Sequence, residues 1–191
     1  MTYSLGEVEA LCRKAARGAG FSWGMADEAG KTARWLCKHD LPGAAALAGY
    51  LDTRQDACGP DDPALPDWAA NGPLCPLVCG TLLSDMGARS MERRLHNLAW
   101  PVLLLPHVGG DMELRIGPDK RSQDDPMIPL APLATVQSKQ DSTGSNRPPT
   151  TRATIATDDL EILTRFAART YAPETDASKL SGAGAGLKDE D

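Results

Sequence analysis

The period of the apolar residues changes once along this chain, and that change restricts the fold more than any other feature. Before residue 53 they recur every three to four positions. Val8, Leu11, Cys12, Ala15 and Ala19 form one such stripe, and Met25, Ala26, Ala29, Ala33 and Leu36 form the next. This spacing places each set on one face of a helix. Later, in 111–117, Met112, Leu114 and Ile116 alternate with Glu113 and Arg115, the period of a strand buried on one side. Helices come first, then strands, then a last helix. That order predicts an α+β fold with a small antiparallel sheet and argues against a doubly wound nucleotide fold.

Local signals place the boundaries. Ser4 and Glu7 have the spacing of a capping box, and Gly18 and Gly20 end that first helix. Ser22 is placed to cap the second. Asp40 before Pro42 marks a third start, and "PGAAALAGYLD" reads as a short helix whose alanines and Gly49 permit close packing. Residues 54–73 hold four prolines and two glycines, an irregular connection anchored by Leu65 and Trp68. Residues 79–88 read as a helix. "WPVLLLP" (100–106) reads as a buried strand, paired through an "HVGGD" turn with the strand at 111–117. "MIPLAPLATVQ" reads as an edge strand, since proline is tolerated mainly at edges. Residues 138–150 form a polar connector. "TRATIAT" is a last strand, and Thr157 is expected to cap a helix through Tyr171 with Leu160, Leu163, Phe166 and Ala167 inward. One domain over 1–191 is expected, with a helical part (4–53), the irregular loop (54–73), a mixed α/β part (74–172) and a Gly-rich acidic tail (173–191).

Composition sets aside several function classes. Apolar residues are 41% and aromatics 5% of the 191 residues, so a globular core built from small side chains is expected. The net charge of −6 repels a phosphate backbone, and no nucleic-acid partner is expected. Arg89, Arg93 and Arg94 form the most basic stretch and read as a solvated face. The apolar runs Ala44–Leu51 and Val102–Pro106 fall short of the roughly 20 residues a spanning helix needs, so no membrane partner is expected either. The N-terminal stretch has no signal-peptide pattern. The five cysteines are then expected to be reduced thiols in a cytoplasmic protein.

Chemistry-bearing residues are few. Cys75 and Cys79 lack a second ligand pair, so neither a metal site nor a cofactor is expected. Cys79 is the thiol to test as a nucleophile, since His96 and Asp85 supply the residue types of a triad. Of the three histidines, His39 at a helix end is the first choice for acid–base work, although the helix dipole is a sufficient structural reason for it. His107 reads as an exposed turn residue. Trp23, His39 and the tail glycines Gly182, Gly184 and Gly186 are the ligand-binding candidates, if "SGAGAG" folds back over the helices.

"SLGEVEALCRKAARGAGFSWGMADEAGKTARWL" together with "TYAPETDASKLSGAGAGLKDED" resembles an uncharacterised proteobacterial family catalogued as a domain of unknown function. The resemblance implies that Trp23-Gly24 and the Gly-Ala tail are family features, and it brings no activity. Within 5–51, "GAGFS", "HDLPG" and "GYLD" are also similar to the N-terminal helical segment of type-2 malate/L-lactate dehydrogenases. That family follows the equivalent of Asp40-Leu41-Pro42-Gly43 with a Ser-His-Gly that carries its catalytic histidine. Ala44-Ala45-Ala46-Leu47-Ala48 stand here instead, and the chain is too short for the nicotinamide-binding core, so the resemblance implies a lost chemistry. Three functions remain: a cytosolic non-catalytic accessory or small-molecule-binding protein, an enzyme using His39 or Cys79, and a structural partner in a homo-oligomer or with an enzyme.

Overall fold

A computed structural model describes residues 1–54, 59–86, 92–108, 112–117, 120–121, 124–138 and 149–171. The architecture is α+β. The short strand β1 (Thr2–Ser4) leads into α1 (Leu5–Gly18), α2 (Trp23–Lys38) and α3 (Gly43–Thr53). The capping box forms: the Ser4 hydroxyl accepts from the Glu7 amide at 3.3 Å, and the Glu7 carboxylate accepts from the Ser4 amide at 2.7 Å. Ser22 caps α2 with one bond, its hydroxyl accepting from the Met25 amide at 3.3 Å. Alanine dominates the surface these helices bury, with Ala15, Ala16, Ala26, Ala29 and Ala33 all sealed from solvent. Asp40 does not cap α3. It lies in a left-handed turn at φ 58°, and the Cys37 sulfur meets the Gly43 and Ala44 amides instead.

The chain then runs through β2 (Asp67–Trp68), α4 (Pro76–Met86), β3 (Arg93–Ala99), a 3₁₀ helix (Pro101–His107), β4 (Met112–Ile116), β5 (Lys120–Arg121), β6 (Leu130–Ser138), β7 (Arg152–Thr154) and α5 (Thr157–Ala168). The main sheet has the order β2-β3-β6-β4-β5. Its ladders are antiparallel except for β2 beside β3. β7 pairs antiparallel with β1, and the terminal amine of Met1 donates to the Ile155 carbonyl at 2.9 Å. One core lies among α1, α2, α3 and α5. A second lies between the sheet and α4, around Trp68, Leu95, Leu98 and Leu114.

Several expectations are corrected. "WPVLLLP" is a 3₁₀ helix and not a strand. Its apolar residues have no single buried face: Val102 and Leu103 enter the first core, while Leu104 enters the second. Three residues per turn deliver neighbours to both sides, which a strand beside one core would not. The expected hairpin is therefore absent, and β4 pairs with β6. β6 is central and not an edge, despite Pro132. The β3–β6 register passes from Leu98↔Ala131 to His96↔Leu133. Pro132 thus stands opposite Asn97, which is kinked at φ 53°, and its missing N–H falls where the ladder is already interrupted. The helix expected at 79–88 begins earlier, at Pro76, a favoured first helical residue. Arg93 is not solvated: strand alternation turns it inward beside Leu95, and it is only 5% exposed. Arg94 points out and pairs with Asp67 at 2.7 Å. Arg89 and the tail expected at 173–191, with Gly182, Gly184 and Gly186, lie outside the described residues.

Candidate functional site

The sequence candidates are placed apart. Trp23 opens α2 and His39 caps its other end, 16 residues on, about 24 Å at 1.5 Å per residue. His39 is exposed, stacks on Trp35 at 3.9 Å and holds the Trp35 carbonyl with Nδ1 at 2.7 Å. Trp23 is 67% exposed, with the Arg17 guanidinium 4.8 Å from its ring centre. Cys79 is fully buried. Burial pushes its thiol far up, and the neighbouring Cys75 adds to the shift, so it holds no thiolate at neutral pH. His96 pairs with Asp67 at 3.4 Å on the outward face of β3, away from Cys79. Among the described residues no group of three His, Cys, Asp or Glu side chains is arranged to hold a metal.

A different set of residues converges. The C-terminal turn of α3 supplies Tyr50, Thr53 and Arg54. Pro73, the β3 end at Ala99 and Trp100, and the β6 start at Pro129 and Leu130 close a cavity of about 220 Å³. Trp100 is held in the left-handed region, at φ 40° and ψ 65°. For a bulky residue this is strained by about 1–3 kcal/mol. Its surroundings fix it there. The Trp100 amide donates to Pro129 O at 3.0 Å, and the indole N–H donates to the Thr53 hydroxyl at 3.3 Å. The six-membered ring lies on Gly49, where any Cβ would stand 2.3 Å from Cη2.

The electrostatics of this cavity are one-sided. The Arg54 guanidinium stacks over Phe21 at 4.2 Å, and its Nη1 is buried with no hydrogen-bond partner among the described residues. The other polar groups are spent on each other. The Thr53 hydroxyl donates to the Gly49 carbonyl at 2.7 Å while accepting from Trp100. Tyr50 and Cys75 share a hydrogen bond, and burial pushes both the phenol and the thiol up, so both stay neutral. The described lining therefore offers a cation and apolar walls without a nucleophile or a base. It can bind an anion.

Two other features compare poorly. A larger cavity of about 370 Å³ lies near the start of α3, lined by Asp40, Thr150 and Arg152 among others. There Arg152 is bonded to the Thr2 carbonyl and the Thr150 hydroxyl to that of Cys37. His107 is also not the exposed turn residue expected. It sits half-buried in the 3₁₀ helix, with Nε2 3.2 Å from Thr32 Oγ1 and Nδ1 3.1 Å from Ser84 Oγ. It rests on Gly80, where a Cβ would approach the ring to 2.4 Å. Burial pulls its pKa down. It ties α2, α4 and the 3₁₀ helix together and faces none of the cavity residues named above.

The sequence reasoning did not select Tyr50, Thr53, Arg54 or Trp100. No spacing relates Arg54 to Trp100, and the fit between Gly49 and the indole exists only once α3 and the end of β3 meet. In comparisons with known proteins, a family described as protein of unknown function (DUF3726) matches residues 3–98, a span that runs from β1 nearly to the end of β3. No curated protein matches. No solved structure matches.

Proposed function

The chain belongs to the DUF3726 family of proteins of unknown function, and from that premise we propose a cytoplasmic, non-catalytic protein that binds a small anionic molecule beside Arg54. The observation that carries this reading is Arg54, a half-buried cation on the wall of a cavity whose other described lining is largely apolar. A guanidinium forms charge-assisted hydrogen bonds with an anionic oxygen, stronger than those between neutral groups. Arg54 also follows the last turn of α3, where the helix dipole favours a cation. Stacking on Phe21 at 4.2 Å holds the guanidinium, and Arg54 sets its charge beside the cavity.

The other readings have less support. Against a structural partner in an oligomer, the alanines of α1 and α2 are buried within the chain itself. At the position of the dehydrogenases' catalytic histidine the chain carries the buried α3 residues Ala44, Ala46 and Ala48. A cytoplasmic setting is supported by Cys12, Cys37, Cys75 and Cys79, all buried free thiols. No helix among the described residues is long and apolar enough to cross a membrane.

The test is a titration with acetate, benzoate and inorganic phosphate, followed by tryptophan fluorescence and melting temperature. At least one anion should quench the wild type and raise its melting temperature. Arg54→Met should abolish both effects while leaving the circular dichroism unchanged, and Arg54→Lys should retain part of them. The reading fails if no anion separates the wild type from Arg54→Met.

A further inference from the structure

We propose that the groove between α1 and α5 is the docking site of residues 172–191 of this chain, a reading independent of the one at Arg54. The two sides of the groove repeat one spacing. Ala10, Leu11 and Lys14 of α1 meet Ala167, Ala168 and Tyr171 on the α5 side, around a space of about 310 Å³. Three of these six residues are alanines. Side chains that short leave a trough between two helices where longer ones would close a seam. A trough of this kind takes large apolar side chains from a segment laid along it.

The position of Tyr171 points to the occupant. It is the last described residue, and it lines the groove. The Lys14 ammonium donates to its phenol oxygen at 3.4 Å and stands 5.7 Å from its ring centre. The chain continues from there through residues 172–191, whose large apolar residues are Leu180 and Leu187, with glycine and alanine alone at 182–186. Reach is ample. From Tyr171 to Leu180 an extended chain spans about 30 Å at 3.3–3.6 Å per residue, while the lined stretch of α1 from Ala10 to Lys14 is about 6 Å long.

Charge agrees. Residues 172–191 hold five acidic residues and two lysines. Lys14 lines the groove, Arg17 lies in the last turn of α1, and Arg169 caps α5 beside Gly18. The described contacts of these three cations are neutral: the Tyr171 phenol, the Phe21 carbonyl at 2.7 Å and the Phe166 ring at 4.6 Å. Glu7 also lines the groove, and its carboxylate is held by the Ser4 amide at 2.7 Å. The acidic residues of the segment therefore meet cations. Exposed pairs of this kind are weak singly, so Leu180 and Leu187 supply most of the docking through the apolar area they bury.

The experiment adds a fluorescent peptide of residues 172–191 to the full chain and follows its anisotropy. The tethered segment competes at an effective concentration of about millimolar, so the wild type should bind the peptide at least tenfold more weakly than the full-length double variant Leu180→Glu, Leu187→Glu. Adding Ala168→Trp to that variant fills the groove from an exposed position. It should abolish peptide binding with the circular dichroism unchanged. Equal binding to the wild type and the double variant would mean an open groove and overturn the proposal. So would an absence of binding to either, or binding that survives Ala168→Trp. Sedimentation of the wild type tests the other occupant: a concentration-dependent dimer lost in Ala168→Trp would give the groove to a second copy and overturn the proposal as well.

Discussion

Arg54 and Arg93 both carry guanidinium nitrogens that are buried and unpaired, yet their surroundings lead to opposite expectations. Arg54 lines a cavity, and its charge can be balanced by an anion that enters it. Arg93 is enclosed at the start of β3, with Nη2 4.0 Å from the Met86 sulfur and its charge 5.9 Å from the Trp68 ring centre. Neither neighbour is an anion, and the aromatic contact lies at the outer limit of a useful cation–π distance. A buried charge without a partner is worth less than an apolar group of the same shape. Arg93→Met is therefore expected to stabilise the protein, by about 1–3 kcal/mol, seen as a higher urea midpoint with the slope unchanged. A lower midpoint would mean that Arg93 has an anionic partner in the folded protein.

Among the elements, the 3₁₀ helix and α4 depend on each other through His107. Its imidazole bridges Thr32 of α2 and Ser84 of α4, and burial lowers its pKa below the ordinary 6.5, opposed weakly by the charge of Glu28. Below about 6.5 the unfolded chain takes up a proton at this residue that the folded chain refuses. The unfolded state then binds more protons, so stability rises with pH. The contribution of neutral His107 is complete above that value and is lost as pH falls from it toward the lowered folded value. Urea denaturation should show a lower midpoint at pH 5.5 than at pH 7.5, and His107→Gln should flatten the difference. His39 and His96 make no such buried bridge, so an equal pH slope in the variant would rule His107 out as the source.

For the whole molecule, the question is whether the two cores act together. The 3₁₀ helix contributes Val102 and Leu103 to one and Leu104 to the other, and Leu105 packs against both. A seven-residue segment shared in this way cannot leave one core without disturbing the other. Leu36→Ala in the helical core and Leu95→Ala in the sheet core each empty a fully buried site, and each should cost about 2–5 kcal/mol. Each should also move the far-ultraviolet dichroism and the tryptophan fluorescence transitions by the same amount, as one cooperative unit requires. Separate transitions in either variant would show two independently unfolding parts. The cavity lies at the junction, with α3 on one wall and the ends of β3 and β6 on the other, so a ligand there would stabilise both cores together.

The amino-acid sequence alone determined what depends on neighbours a turn or a strand pair away. Ser4, Glu7 and Ser22 satisfy amides within their own first turn, and the stripes of α1, α2 and α5 follow from a 3.6-residue repeat. The alternation of 111–117 revealed β4 for the same reason. Tertiary structure decided whatever depends on which partner covers a face. The run at 101–106 has no period of its own and became a 3₁₀ helix because two cores claim its neighbours. Pro132 is admitted to a central strand because Asn97 kinks opposite it. Arg93 is internal because the β3 register makes it so. The cavity is the extreme case: Gly49, Arg54, Trp100 and Leu130 are ordinary residues in the sequence. Their chemistry arises from a contact between segments about 50 positions or more apart, where Trp100 is locked by Gly49 and Thr53 and the charge of Arg54 is set beside apolar walls.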